Sequence, residues 1–202
     1  MIVLDIETSG LDNVKCGIWQ IGAIDLDTNE EFLEEARIDD EDLLLDSRVD
    51  KPVLEVIGKK EENLRDNTKQ SQKQLLINFF NWCEDRKLKN CLCQNPQFDL
   101  GFIWVKARKY ELEIPFHHRA YDLHSIASLK YFQLNNKFLI NKDHSDMGLK
   151  NILNFCGIQD NRGVHNALED CKLTAECFSR LIYKKNLFPE YNKFLIPEYL
   201  KK

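Results

Sequence analysis

Asp5 and Glu7 interrupt an otherwise apolar run, "MIVLDIE", at the start of a chain of 202 residues. Successive side chains of a β-strand point to opposite faces, so these two acids point the same way, about 7 Å apart along the strand. Two carboxylates on one face of an apolar strand repel each other and lose hydration, which is unfavourable unless a cation or a set of donors compensates them. A divalent metal ion would do so; the alternative is a strand ending at Leu4, with both acids solvated in a turn through Gly10. Two further groups of the same chemistry follow. Asp99 stands in "QNPQFDLGFI", near the start of a helical stretch, and His165 precedes "NALEDCKLTAECF", which places Asp170 inside a helix. Five residues rotate a helix by about 500°, so His165 and Asp170 do not share a helical face and His165 must work from the loop. Each residue also has an ordinary role: Asp99, Glu169 and Asp170 as first-turn acids favoured by the helix dipole, His165 as a surface residue.

The elements that must position these groups are legible as alternation and helical spacing. "MIVLDIE", "GIWQIGAIDLD" and "EEFLEEARI" read as three meandering antiparallel strands. Residues 39–72 are polar, with Pro52 and Gly58 as breakers around "VLEVI", and are expected to hold one or two brief helices between loops. Leu75, Leu76, Phe79, Phe80 and Cys83 recur at helical spacing and predict an amphipathic helix over 70–86. Next, "NCLCQN" reads as a short strand, "FDLGFIWVKARKY" as a helix, and "RAYDLHSIASLKYF" as a strand running into a helix capped by Asp122. Further helices are expected over 147–156 and 166–184, the second burying Cys171, Thr174, Ala175, Phe178, Leu181 and Ile182. Strands alternating with helices indicate parallel pairing. The expected fold is therefore α/β: a mixed sheet, antiparallel at its N-terminal end and parallel later, with helices packed on it. No repeat or linker divides the chain, and residues 1–202 are expected to form a single domain.

The net charge of −5 is unevenly spread. From Asp25 to Asp46 eleven acids face Arg37 alone, which leaves the rest of the chain positive, so the overall sign does not exclude a nucleic-acid partner. Lys106, Arg108, Lys109 and Lys172 are candidates for steering a polyanion. Seven cysteines without a C-x-x-C pair point to reduced structural thiols in an intracellular protein. No charged leader or membrane-length apolar run is present, so the expectation is a soluble cytoplasmic protein with no membrane partner.

Taken in order, "DIETSG", "QNPQFD" and "HNALED" resemble the motifs of the DEDDh, or DnaQ-like, 3′-to-5′ exonucleases, over Ile2 to about Tyr183. The resemblance implies an RNase H-like fold, a five-stranded mixed sheet flanked by helices. It also implies that Asp5, Glu7, Asp99 and Asp170 bind two divalent ions, Mg²⁺ or Mn²⁺, with Asp5 bridging both and His165 as general base. By the same resemblance, Thr8, Gly10 and Leu11 match the places that hold the terminal 3′-hydroxyl and wedge the last base, and Asn95 and Phe98 match second-motif positions near the substrate. The implied activity is release of nucleoside 5′-monophosphates from the 3′ end of a single strand of nucleic acid, DNA first.

The residue types suit that chemistry. Carboxylates hold hard cations that take their remaining ligands from water and phosphate, and two such ions serve the attacking and leaving oxygens of an in-line displacement. Imidazole accepts a proton near neutrality. The chain departs from the pattern at Gln94-Asn95-Pro96, where relatives commonly carry His-Asn-Ala; Pro96 removes a backbone donor and restricts Asn95, a change expected to bear on substrate fit. Trp19 and Gln20 are expected to be packing residues. The competing readings are an exonuclease for RNA ends or very short oligonucleotides, a non-catalytic subunit attached to a polymerase or another processing protein, and an acidic metal buffer around residues 25–46. That last stretch lacks the 12-residue calcium-loop pattern.

Overall fold

The structure is a computed structural model and describes residues 1–43, 58–163 and 165–201. The apolar, β-branched segments at the N-terminus form a meander: β1 (Ile2–Thr8) pairs antiparallel with β2 (Ile18–Asp25), and β2 with β3 (Glu31–Glu35). After α1 (Glu61–Leu64) and α2 (Gln72–Glu84), β4 (Cys91–Cys93) returns parallel to β1. Then α3 (Pro96–Lys109) leads to β5 (Tyr121–Asp122), parallel to β4. Next come α4 (Leu123–Asn135), a hairpin of β6 (Ile140–Asn141) and β7 (His144–Ser145), α5 (Leu149–Phe155), α6 (Ala167–Ile182) and α7 (Glu198–Lys201). The main sheet runs β3-β2-β1-β4-β5, the mixed five-stranded sheet that the motif order implies.

Both faces of the sheet are covered, so β1 is buried on both sides and its alternation sorts residues between two cores. Ile2, Leu4 and Ile6 pack with α2 and α3, through Leu75, Phe79, Phe102 and Ile103. Val3 packs with α4, α5 and α6, through Leu123, Ile152 and Cys171. Asp5 and Glu7, in phase with Val3, therefore belong to the α6 side. All seven cysteines are buried and unpaired with one another. Among the described residues, no helix is long and apolar enough to cross a membrane.

Several expectations are corrected. Ile182, assigned to the buried stripe of α6, is 47% exposed because it lies at the end of the helix, whereas Cys171, Thr174, Ala175, Phe178 and Leu181 are buried as expected. The segment "VLEVI" lies outside the described residues. The β6–β7 hairpin and the ordered stretch after Tyr183 were not foreseen. That stretch is held by two charged residues inside α6: Glu176 and Arg180, both fully buried, pair at 2.7 Å. Arg180 also donates to the carbonyls of Cys156, Tyr191 and Phe194. Glu176 accepts the N–H groups of Leu187 and Phe188.

Charge segregation along the chain is also partly undone in three dimensions. Lys106 is 1% exposed and bound to the equally buried Asp42 at 2.9 Å. Lys109 bonds to Asp39 and Glu41, and Lys172 to Glu31. Of the four proposed steering cations, three are thus engaged by the acidic stretch, and Lys106 is withdrawn from solvent altogether.

Candidate active site

Across the β1–β2 ladder, Asp5 faces Gly22 and Glu7 faces Gln20. Both partners serve the helix that carries Asp170. A Cβ built on Gly22 would overlap the backbone of Ala167 and Leu168, so only glycine lets the first turn of α6 lie this close to β2. Gln20 is buried, as expected of a packing residue, and in addition its Oε1 accepts the Ala167 N–H at 2.8 Å while its Nε2 donates to Glu35 at 3.2 Å. Trp19, 1% exposed, does pack in the interior. Asn166, the N-cap, accepts the Leu168 and Glu169 N–H groups at 3.1 Å each. Three first-turn donors are thereby satisfied, and the fourth residue of the helix, Asp170, comes to lie beside Asp5 and Glu7.

Asp99 arrives from the opposite core. The parallel pairing of β4 with β1 covers only Ile2 and Val3, so the Ile6 N–H lies beyond it, and Asp99 Oδ1 accepts it at 3.2 Å. Asp99 is 4% exposed and sits in the first turn of α3, where Pro96 occupies the helix start and forfeits only a donor that would be unpaired there.

His165 remains in the loop before α6, with its side chain about half exposed, and its Nδ1 lies 3.3 Å from Asp170 Oδ2. The ring's Nε2 has no hydrogen-bond partner among the described residues. One donor atom each from Glu7, His165 and Asp170 lie within 4.8 Å of one another, a spacing that fits a shared cation.

These residues line two adjoining clefts, and a third opens beside them. One of about 210 Å³ is bounded by Asp5, Glu7, Asn95, Phe98, Asp99, His165 and Asp170. A second, of about 390 Å³, shares Asp5, His165 and Asp170 with it and adds Lys150 and Arg162. A third, of about 490 Å³, extends from Asn95 to Asp122, His124 and Ser125. Gln94 lines all three, at the position where the sequence departs from its relatives. Thr8 and Gly10 are buried, and the Thr8 hydroxyl donates to the Gly10 carbonyl at 2.6 Å; Leu11 is 43% exposed. None of these three lines the clefts.

Crowding shows in the protonation of the acids. Burial, then the charges of Asp99, Asp170 and Glu7, hold Asp5 well above the usual carboxylate range against the pull of Arg162. Glu7 is pushed up to about 7, mainly by burial. Asp99 also rises to about 7, burial outweighing the backbone donors that favour its charged form. The Asp170 contact raises His165. Acids held this far from their ordinary ionisation, with few donors to spare, form an oxygen-rich set suited to hard divalent cations.

Arg162 escaped the sequence reading. It lies three residues before His165, and its Nη1 bonds to both oxygens of Asp170 at 3.0 and 3.1 Å. A basic residue so close to a candidate loop histidine was the available signal; its contacts depend on a loop path that spacing does not specify.

The exonuclease family model RNase_T matches residues 2–178. No curated protein sequence matches the chain. Among solved structures, the nuclease domain of 3′hExo, a DEDDh family member bound to rAMP, superposes with a TM-score of 0.64 at 16% identity, covering 98% of this chain and 95% of that one. Cell-death related nuclease 4 (CRN-4) gives 0.65 at 16%, covering 92% and 64%. The zinc-bound E. coli ExoI–ssDNA complex gives 0.67 at 16%, and there the chain covers 91% of itself but only 40% of the larger enzyme. The sheet is thus RNase H-like, and the chain belongs to the exonuclease family whose model spans residues 2–178.

Proposed function

We propose that residues 1–202 act as one exonuclease domain that removes nucleoside 5′-monophosphates from the 3′ end of single-stranded nucleic acid, DNA first, using two divalent ions. The observation that carries this reading is the gathering of Asp5, Glu7, Asp99, Asp170 and His165 around the 210 Å³ cleft, from two strand positions, two helix starts and a loop.

Asp5, Glu7 and Asp170 would hold one ion and Asp5 and Asp99 the other, whether directly or through water. Bound there, Mg²⁺ or Mn²⁺ would activate water and neutralise charge on the scissile phosphate. His165, half exposed with Nε2 unpaired, would take the water's proton, its ring oriented through Nδ1 by Asp170. The leaving 3′-oxygen would depart on the side of Asp99. Asn95 and Phe98 would line the path of the terminal nucleotides, and Thr8 at the end of β1, with Gly10 and Leu11 in the turn after it, would hold the 3′-hydroxyl and the last base from beside the clefts. A cytoplasmic setting fits seven buried, unpaired cysteines.

A second reading, an exonuclease for RNA ends, is favoured by the near end-to-end match to a nuclease domain bound to rAMP. Matched 5′-labelled DNA and RNA oligonucleotides, incubated with Mg²⁺, Mn²⁺ or EDTA, separate the two. Faster shortening of DNA supports the first reading and faster shortening of RNA the second. No shortening of either with metal overturns both.

A further inference from the structure

We infer that Arg162 is a positioning residue that competes with divalent cations for Asp170 and so sets how tightly the site holds them. The inference rests on the metal-dependent reading above and assigns a role to a residue outside the DEDDh set.

The geometry is specific. Arg162 uses one edge of its guanidinium on Asp160: Nε bonds to Oδ1 and Nη2 to Oδ2, both at 2.9 Å. Its own backbone N–H reaches the same Asp160 oxygen at 3.2 Å. The side chain, 12% exposed, is therefore anchored within its loop. This leaves Nη1, which spans both oxygens of Asp170 at 3.0 and 3.1 Å. Oδ2 also receives His165 Nδ1 at 3.3 Å. Asp170 is thus bracketed by two groups that carry or can carry positive charge, on both of the oxygens that a cation would need.

A carboxylate has further lone pairs, but an ion taking them would lie within a few ångströms of the guanidinium, in a site only 4% exposed at Asp170, where like charges repel strongly. Either Arg162 withdraws or the ion binds against its repulsion; affinity falls in both cases. Arg162 also steadies the crowded acids beside Asp170, its charge lowering both Asp5 and Glu7. Its anchor matters here. Because Asp160 fixes two of its nitrogens, withdrawal would have to break that pair, and Arg162 otherwise stays in the lining of the 390 Å³ cleft.

Mn²⁺ titration by calorimetry of the full chain tests this, comparing wild type with Arg162→Gln and Arg162→Lys. Arg162→Gln should bind Mn²⁺ about tenfold more tightly, the scale of one charge-assisted hydrogen bond. Lysine cannot span Asp160 and Asp170 together, so Arg162→Lys should tighten binding by a few-fold. It also decides the matter if the glutamine variant does not fold. Melting of the chelated proteins should fall in both variants while the rise on adding Mn²⁺ grows; a purely structural role would weaken Mn²⁺ binding instead. Unchanged or weaker affinity in the folded variants overturns the competition while leaving the metal site intact. A wild-type protein that binds no Mn²⁺ overturns the metal reading itself, and this inference with it.

Discussion

Gln20 on the second strand accepts the backbone N–H of Ala167 at 2.8 Å, across 147 residues of sequence. Its ladder partner on β1 is Glu7. One residue therefore fixes the distance between the strand carrying Asp5 and Glu7 and the helix carrying Asp170. Replacing Gln20 with leucine should leave the Ala167 donor buried and unpaired, which costs about 1–3 kcal/mol. At this chain length that lowers Tm by roughly 2–12 °C, and turnover should fall because the acids lose their alignment. A Tm within 1 °C of wild type in differential scanning calorimetry would contradict the assigned role.

Gly22 makes the companion case. Gly22→Ala places a Cβ against the backbone of Ala167 and Leu168, which cannot yield as a flexible side chain would. The first turn of α6 must shift outward, and kcat should drop at least about tenfold even where the fold survives, since small displacements of positioned groups are costly. Steady-state kinetics on folded variant protein checks it; wild-type kcat would show that α6 has slack.

How much of this was legible in the sequence depends on the kind of interaction. Asp5 and Glu7 were visible because charge in an apolar strand breaks a local pattern, Asp99 and Asp170 only through the motif resemblance, since an acid at a helix start is ordinary, and the strands and long helices were visible as periodicity. Gln20 and Gly22 were not, because each is an unremarkable strand residue whose importance comes from a helix far away in sequence. Lys106 misled for the same reason: a lysine after Asp99 reads as exposed charge, yet its partner Asp42 arrives from another part of the chain. The hairpin at 140–145 is too short, and too polar at His144 and Ser145, for alternation to reveal it.

Substituting Asp5→Asn, Glu7→Gln, Asp99→Asn or Asp170→Asn should each lower turnover in Mg²⁺ by about 10² or more. Loss of one cation ligand removes several kcal/mol of charge stabilisation, and each 1.4 kcal/mol is a decade. Near-normal turnover in two or more of these variants would refute the shared site.

Metal-free stability should depend on pH in a defined direction. Glu7 and Asp99 keep their protons up to about pH 7 in the folded protein, while the unfolded chain releases them near their ordinary values of 4.5 and 3.8. The folded state binds more protons across that window, so the stability these groups contribute is present below it and is lost as pH rises through 7. With EDTA present, Tm should fall from pH 5 to pH 8 more steeply in wild type than in the Glu7→Gln/Asp99→Asn double variant. Parallel profiles would show that these acids are not held protonated.

Lys106→Met should destabilise the protein by about 3–5 kcal/mol, because it strands a buried Asp42. It should leave the slope of log affinity for a single strand against log salt unchanged, whereas a lost phosphate contact would flatten that slope by about 0.7. A flatter slope without destabilisation would restore Lys106 as a substrate contact.

The central claim is metal-dependent attack from a free 3′ end. The most direct measurement compares a 5′-labelled linear single strand, its 3′-phosphorylated form and a circle of the same sequence, each with Mg²⁺ or EDTA. The account predicts a ladder shortening one nucleotide at a time from the linear strand with Mg²⁺ only, release of 5′-monophosphates, slowing of about tenfold or more by the 3′-phosphate, which leaves a buried acceptor unpaired, and an intact circle. Cutting of the circle at a rate comparable to the linear strand, or shortening that persists in EDTA, would contradict it.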